Sequence, residues 1–137
     1  MIDQLASAFH FDRQAVALRA RRQKVLANNI ANADTPGYKA RDFKFADALT
    51  AATGGSEAGG HLSMATTSPR HIEPQAGNAL PVDLLYRVPA QPSLDGNTVD
   101  MNEARTRFAD NSLRYMVSLH LMSGKIRGLR AAMQPAR

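Results

Sequence analysis

Two heptad patterns, one at each end of the chain, restrict the fold more than any other feature. In the first, Ile2, Phe9, Val16 and Ile30 fall on one seven-residue register, and Leu5, Leu26 and Ala33 hold the companion position. Asp12, Arg19 and Gln23 interrupt that stripe, while Phe11, Leu18 and Val25 draw a second apolar line on another side. In the second pattern, from Asp100 to Met133, Met101, Phe108, Tyr115, Met122 and Leu129 recur without a break, with Leu119, Ile126 and Met133 as companions. Leu113, Val117 and Leu121 add a further side at i, i+4 spacing. At ~1.5 Å per residue, each helix would run about 45–50 Å. A hairpin of that length has one internal seam and encloses no globular core. Its other apolar lines need cover from elsewhere.

Local signals agree with this layout. Asp100 and Glu103 stand as N-cap and capping-box partner for the second helix. No acid follows Asp110, whereas Arg114, Lys125, Arg127 and Arg130 do, which complements the helix dipole. Gly124 and Gly128 each weaken the helix by roughly 1 kcal/mol relative to Ala, yet small residues four apart permit close approach of another chain. Between the helices, "TAATGGSEAGG" (50–60) reads as a flexible Gly/Ala/Ser linker, and "VDLLYRV" (82–88) is the best strand candidate. "LDGNTVD" supplies an Asp-Gly turn before the second helix. The expected organisation is a helix over 1–33, a small irregular and β segment over 34–99, and a helix over 100–137. The fold class is mainly α.

The stretch "LANNIANADTPGYKA" (26–40) is the most unusual in the chain. Asparagine is a mediocre helix former, so a solvated helix would more naturally carry Glu, Lys or Gln. On a helical wheel Asn28, Asn29 and Asn32 cluster on the side away from Leu5 and Ile30. Neutral amides donate and accept hydrogen bonds without the desolvation cost of a charge, which suits a site surrounded by protein. Thr35-Pro36-Gly37-Tyr38 then has Pro and Gly placed for a type II turn that stops the helix. The reading is of a helix end built for assembly.

Other functions find little support. The formal charge of +5 and the basic cluster Arg19, Arg21, Arg22 and Lys24 invite nucleic acid or an anionic membrane. These residues spread round the helix with no interleaved aromatics, so a solvated or inter-subunit charged face is the preferred reading. A basic helical-hairpin adaptor is the alternative. None of His10, His61, His71 and His120 lies four residues from another, and with no cysteine there is no thiolate metal site. No phosphate loop or positioned nucleophile appears, so neither an enzyme nor a cofactor is expected. The N-terminus lacks the basic and apolar regions of a cleaved signal peptide, and no run reaches ~18 apolar residues.

"VLANNIANADTPGYKARDF" closely resembles the N-terminal signature of the bacterial flagellar rod and hook protein family, and "PSLDGNTVDMNEARTRFADNSLRYMVSLHLMSGKIRGL" is similar to the C-terminal half of its proximal-rod branch. One departure is Ala104, where that branch carries an acid. The resemblance implies a structural, non-enzymatic subunit whose terminal helices pair as an antiparallel coiled coil and pack helically around an export channel. On it, Asn28, Asn29, Ile30, Asn32, Thr35, Pro36, Gly37 and Tyr38 are the assembly motif. Leu5, Phe9, Val16 and Leu26 would meet Met101, Phe108, Tyr115, Leu119, Met122, Ile126 and Leu129 along the helix seam. Implied partners are copies of itself, other rod proteins, the junction with the membrane ring, and the flagellar type III export apparatus. No nucleic acid and no direct membrane insertion are implied. The implied location is the periplasmic rod of the basal body, reached without a cleaved signal. Phe45 and Leu49, four apart after the turn, are similar to an apolar element that exported subunits of this kind carry. Two roles stay open for the pair: recognition during export, or packing within the subunit.

Overall fold

Thirty residues without Gly or Pro, Ile2–Ala31, form helix α1. The computed structural model describes residues 2–54, 82–89, 91 and 93–133, with side chains from Phe9 onward. Strand β1 (Arg41–Asp42) follows the turn, then helix α2 (Phe45–Thr53), strand β2 (Leu85–Tyr86) and helix α3 (Met101–Met133). The two strands pair antiparallel, Arg41 opposite Tyr86 and Asp42 opposite Leu85. The mainly helical fold and the long paired end helices are as expected.

Helix α3 begins where Asp100 was expected to cap it. The Asp100 carboxylate accepts hydrogen bonds from the Asn102 and Glu103 N–H groups at 2.8 and 3.1 Å. The other half of a capping box is absent, because the Glu103 carboxylate turns to Arg87 and Arg107 instead.

α1 and α3 run antiparallel, in a register read directly from their cross-links. Asp12 meets Lys125 at 2.5 Å, Arg19 meets Ser118 at 3.1 Å, and Gln23 meets Asn111 at 2.5 Å. The residues that interrupt the apolar stripe of α1 are therefore the ones that hold α3. On α3 their partners Asn111, Ser118 and Lys125 are seven apart, and buried Ala104 extends the same line. A small and polar line thus faces α1, while Met101, Phe108, Tyr115, Leu119 and Met122 are half-buried and Ile126 and Leu129 are exposed. On α1, Leu18 and Leu26 are fully buried, whereas Phe9, Val16 and Ile30 are half-buried. The side chain of Leu5 lies outside the described residues.

The apolar core among the described residues is small: Ala15, Leu18, Leu26, Ala40, Phe43 and Ala104. Each fully buried leucine contributes about 2–3 kcal/mol. The first part of the expected linker, Thr50–Thr53, is instead the last turn of α2. Alanines favour helix there, and the Thr50 and Thr53 hydroxyls donate to the Ala46 and Leu49 carbonyls one turn back. The rest of that linker lies outside the described residues.

Candidate functional site

The unusual asparagines sit where α1 ends and the chain doubles back. Asn29, 2 % exposed, is covered by its own subunit. Its Nδ2 donates to the Arg41 carbonyl at 2.7 Å, and its Oδ1 accepts from the Arg41 N–H at 3.1 Å and from the Tyr38 hydroxyl at 3.2 Å. The side chain does for Arg41 what a neighbouring strand would do, and so anchors β1 to the helix. Asn32 donates from Nδ2 to the Asn28 carbonyl and accepts from the Thr35 hydroxyl, closing the last turn. Asn28 itself is exposed and Ile30 half-buried. Of the amides read as facing other protein, Asn29 is occupied within the chain.

Thr35-Pro36-Gly37-Tyr38 turns as its sequence requires. Gly37 has φ +71° and the Tyr38 N–H donates to the Thr35 carbonyl at 3.3 Å. Gly96, at φ +72°, sits beside it, close enough that an added Cβ would lie 3.9 Å from the Gly37 Cα. Backbone bonds stitch the two segments together. The Gly37 N–H donates to the Asp95 carbonyl at 2.9 Å, and the Thr98 N–H to the Tyr38 carbonyl at 3.0 Å. The Ala40 N–H donates to the Thr98 hydroxyl at 2.8 Å.

Asn97 completes this knot, a role the sequence reading missed. Buried in the loop before α3, it donates from Nδ2 toward the carbonyls of Asn32, Ala33 and Thr35 at 3.1, 2.7 and 3.0 Å. Those carbonyls belong to the turn that follows α1, so a residue far along the chain fastens the end of α1 to the loop before α3. The Asn97 Oδ1 accepts the Val99 N–H, which leads the chain into α3. Asp95 shapes the same loop and is held below the usual carboxylate range by the Ser93 hydroxyl and the Asn97 N–H.

Two members of the basic cluster on α1, Arg19 and Arg22, are committed inside the subunit, while Lys24 is exposed. Arg22 grips Asp42 with two parallel bonds, Nε to Oδ1 at 2.9 Å and Nη2 to Oδ2 at 2.8 Å. That pairing raises the Arg22 pKa. Asp42 also accepts the Phe43 N–H and lies 3.9 Å from Arg107. Arg107 bonds Glu103, which bonds Arg87 in turn, so α1, β1, β2's flank and α3 share one charge network. The hydrogen bond from Arg107, then that from Arg87, holds Glu103 below its ordinary pKa. Arg19 reaches Ser118, and its guanidinium lies 4.3 Å above the Phe45 ring; burial lowers its pKa. Phe45 and Leu49 are both half-buried on α2, which packs on α1.

Outside the knot the molecule is apolar and open. On α3, Leu113, Met116, Val117 and Leu121 are 51–59 % exposed, and Gly124 and Gly128 have open space where a side chain would be. Leu84, Leu85, Tyr86 and Val88 stand out from the β2 region. No helix among the described residues is long and apolar enough to cross a membrane. A long antiparallel helix pair, tied at its turn and carrying exposed apolar side chains along α3, defines a structural helical-hairpin protein.

The comparisons with known proteins place it more narrowly. The family model "Flagella basal body rod protein" matches residues 11–39, which include the asparagines and the Thr-Pro-Gly-Tyr turn. The chain is 51 % identical over 135 residues to the flagellar basal body rod protein FlgB of Salmonella typhimurium, covering 98 % of each chain. The Escherichia coli FlgB protein matches to the same extent. That of Aeromonas hydrophila is 44 % identical over 128 residues, covering 93 % of this chain and 92 % of the relative. The chain belongs to the flagellar basal body rod protein family.

Proposed function

We propose that this chain is a structural subunit of the proximal rod of the bacterial flagellum, working by packing rather than by chemistry. The observation that carries the reading is the outer face of α3. Leu113, Met116, Val117 and Leu121 are exposed in the single chain, and neighbouring subunits would bury them. Its partners would be copies of itself, other rod proteins and the junction with the membrane ring. The flagellar type III apparatus would deliver it to the periplasm without a cleaved signal, and residues 34–99 would lie at larger radius than the paired helices. The asparagine and Thr-Pro-Gly-Tyr motif supports assembly indirectly, by building the turn that sets α1 beside α3. Internal commitment of Arg19 and Arg22 argues against a basic nucleic-acid face.

Deletion of the gene in a flagellated host tests the reading. Cells should lose flagella and motility, and regain both on expression of this chain. Normally flagellated deletion cells would contradict it.

A further inference from the structure

We propose that Arg19 couples the docking of α2 to the pairing of α3 with α1, so that Phe45 is covered only while α3 is in place. Arg19 sits midway along α1 and serves both neighbours. Its guanidinium lies over the Phe45 ring at 4.3 Å, while its Nε donates to the Ser118 hydroxyl at 3.1 Å. The Arg19 carbonyl also accepts from Asn111 Nδ2 at 3.1 Å, which fixes α1 and α3 at the same level. Helix α2 packs against α1 and makes no packing contact of its own with α3 among the described residues. Arg19 therefore gives α3 a direct link to the Phe45 ring, beside the one that runs from Arg107 through Asp42 to the segment before α2.

A long flexible arginine loses rotamer freedom when it lies flat on a ring. Ser118 restrains the guanidinium and so makes the ring contact easier to keep. When α3 separates from α1 that restraint disappears, and the cation leaves the ring more often. Helix α2 is only nine residues long, too short to hold its own structure in water, so its persistence depends on docking. Loss of α3 thus exposes Phe45 and Leu49 together. The coupling is a property of the isolated chain and does not depend on the rod reading.

Hydrogen exchange of the α2 amides, read by mass spectrometry on the full-length chain, tests it by a double-mutant cycle. Ser118→Ala should raise α2 exchange about fivefold, the ordinary effect of losing one hydrogen bond. Arg19→Ala should raise it by about tenfold, since the ring contact goes as well. In the Arg19→Ala background, Ser118→Ala should then have no further effect on α2. Unchanged α2 exchange in Ser118→Ala would overturn the proposal. So would an effect of Ser118→Ala that persists without Arg19, because it would mark general loosening of the hairpin.

Discussion

Asn29 meets Arg41 with both halves of its side-chain amide, Nδ2 to the carbonyl at 2.7 Å and Oδ1 from the N–H at 3.1 Å. One side chain thereby satisfies both backbone groups of the residue that opens β1. Asn29→Leu keeps the approximate volume but leaves those groups and the Tyr38 hydroxyl without their partner. The expected loss is about 3 kcal/mol. Urea denaturation of the purified chain measures it, and a loss below ~1 kcal/mol would mean that the contact is dispensable.

Gly37 and Gly96 are needed for their backbone, not for space. An added Cβ at Gly37 meets nothing within 4 Å, yet its φ is +71°. Gly37→Val should therefore cost about 1–2 kcal/mol through backbone strain, while Gly37→Asn should cost less, because Asn tolerates the left-handed region. Equal losses in the two variants, measured by thermal or urea unfolding, would point to steric crowding instead.

Much of this site was legible, and what was missed shares one cause. Pro36 and Gly37 announce their turn because turn geometry is local. Asp100 announces its cap for the same reason. Asn97 and Asn111 looked like ordinary polar residues, because their partners at Ala33 and Gln23 are remote in the chain and no local pattern names them. The heptad pattern places Met101, Phe108, Tyr115 and Met122 on the seam, whereas the bonds to α1 come from Asn111, Ser118 and Lys125. Hydrophobic periodicity finds apolar lines but cannot say which of several is covered within the subunit. Helix α2 was half hidden because the glycines that follow it dominated the composition of its second half.

Acid should weaken the network that joins α3 to the β2 region. Glu103 has its folded pKa depressed, chiefly by the Arg107 hydrogen bond and then by Arg87. Its contribution is therefore present above the unfolded carboxylate pKa and is lost as pH falls through the lower folded value. Stability measured downward from pH ~5 should drop less steeply in Glu103→Gln than in the parent chain. Glu103 is partly exposed, so the difference should be small and should shrink in high salt. Identical acid limbs would remove Glu103 from the network's pH response.

Leu26, fully buried on α1, holds the core as Asn29 holds the turn. Leu26→Ala should cost about 2–5 kcal/mol, a large share of the stability of a chain with so few buried residues. Calorimetry would show a lowered unfolding midpoint. A change of less than ~1 kcal/mol would mean that the hairpin relies on its polar links alone.

The claim that the outer face of α3 is reserved for neighbouring subunits is tested most directly by Val117→Glu. Val117 is 51 % exposed, so a carboxylate there should leave the unfolding free energy of the isolated chain within about 0.5 kcal/mol of the parent. In an assembled rod the same carboxylate would be buried without a partner, at a cost of several kcal/mol. Motility and rod formation are measured in cells whose only copy of the gene carries the change. The expected result is a stable subunit, no rods and no motility. Wild-type motility with intact rods would show that this face stays in water after assembly, and the central claim would be wrong.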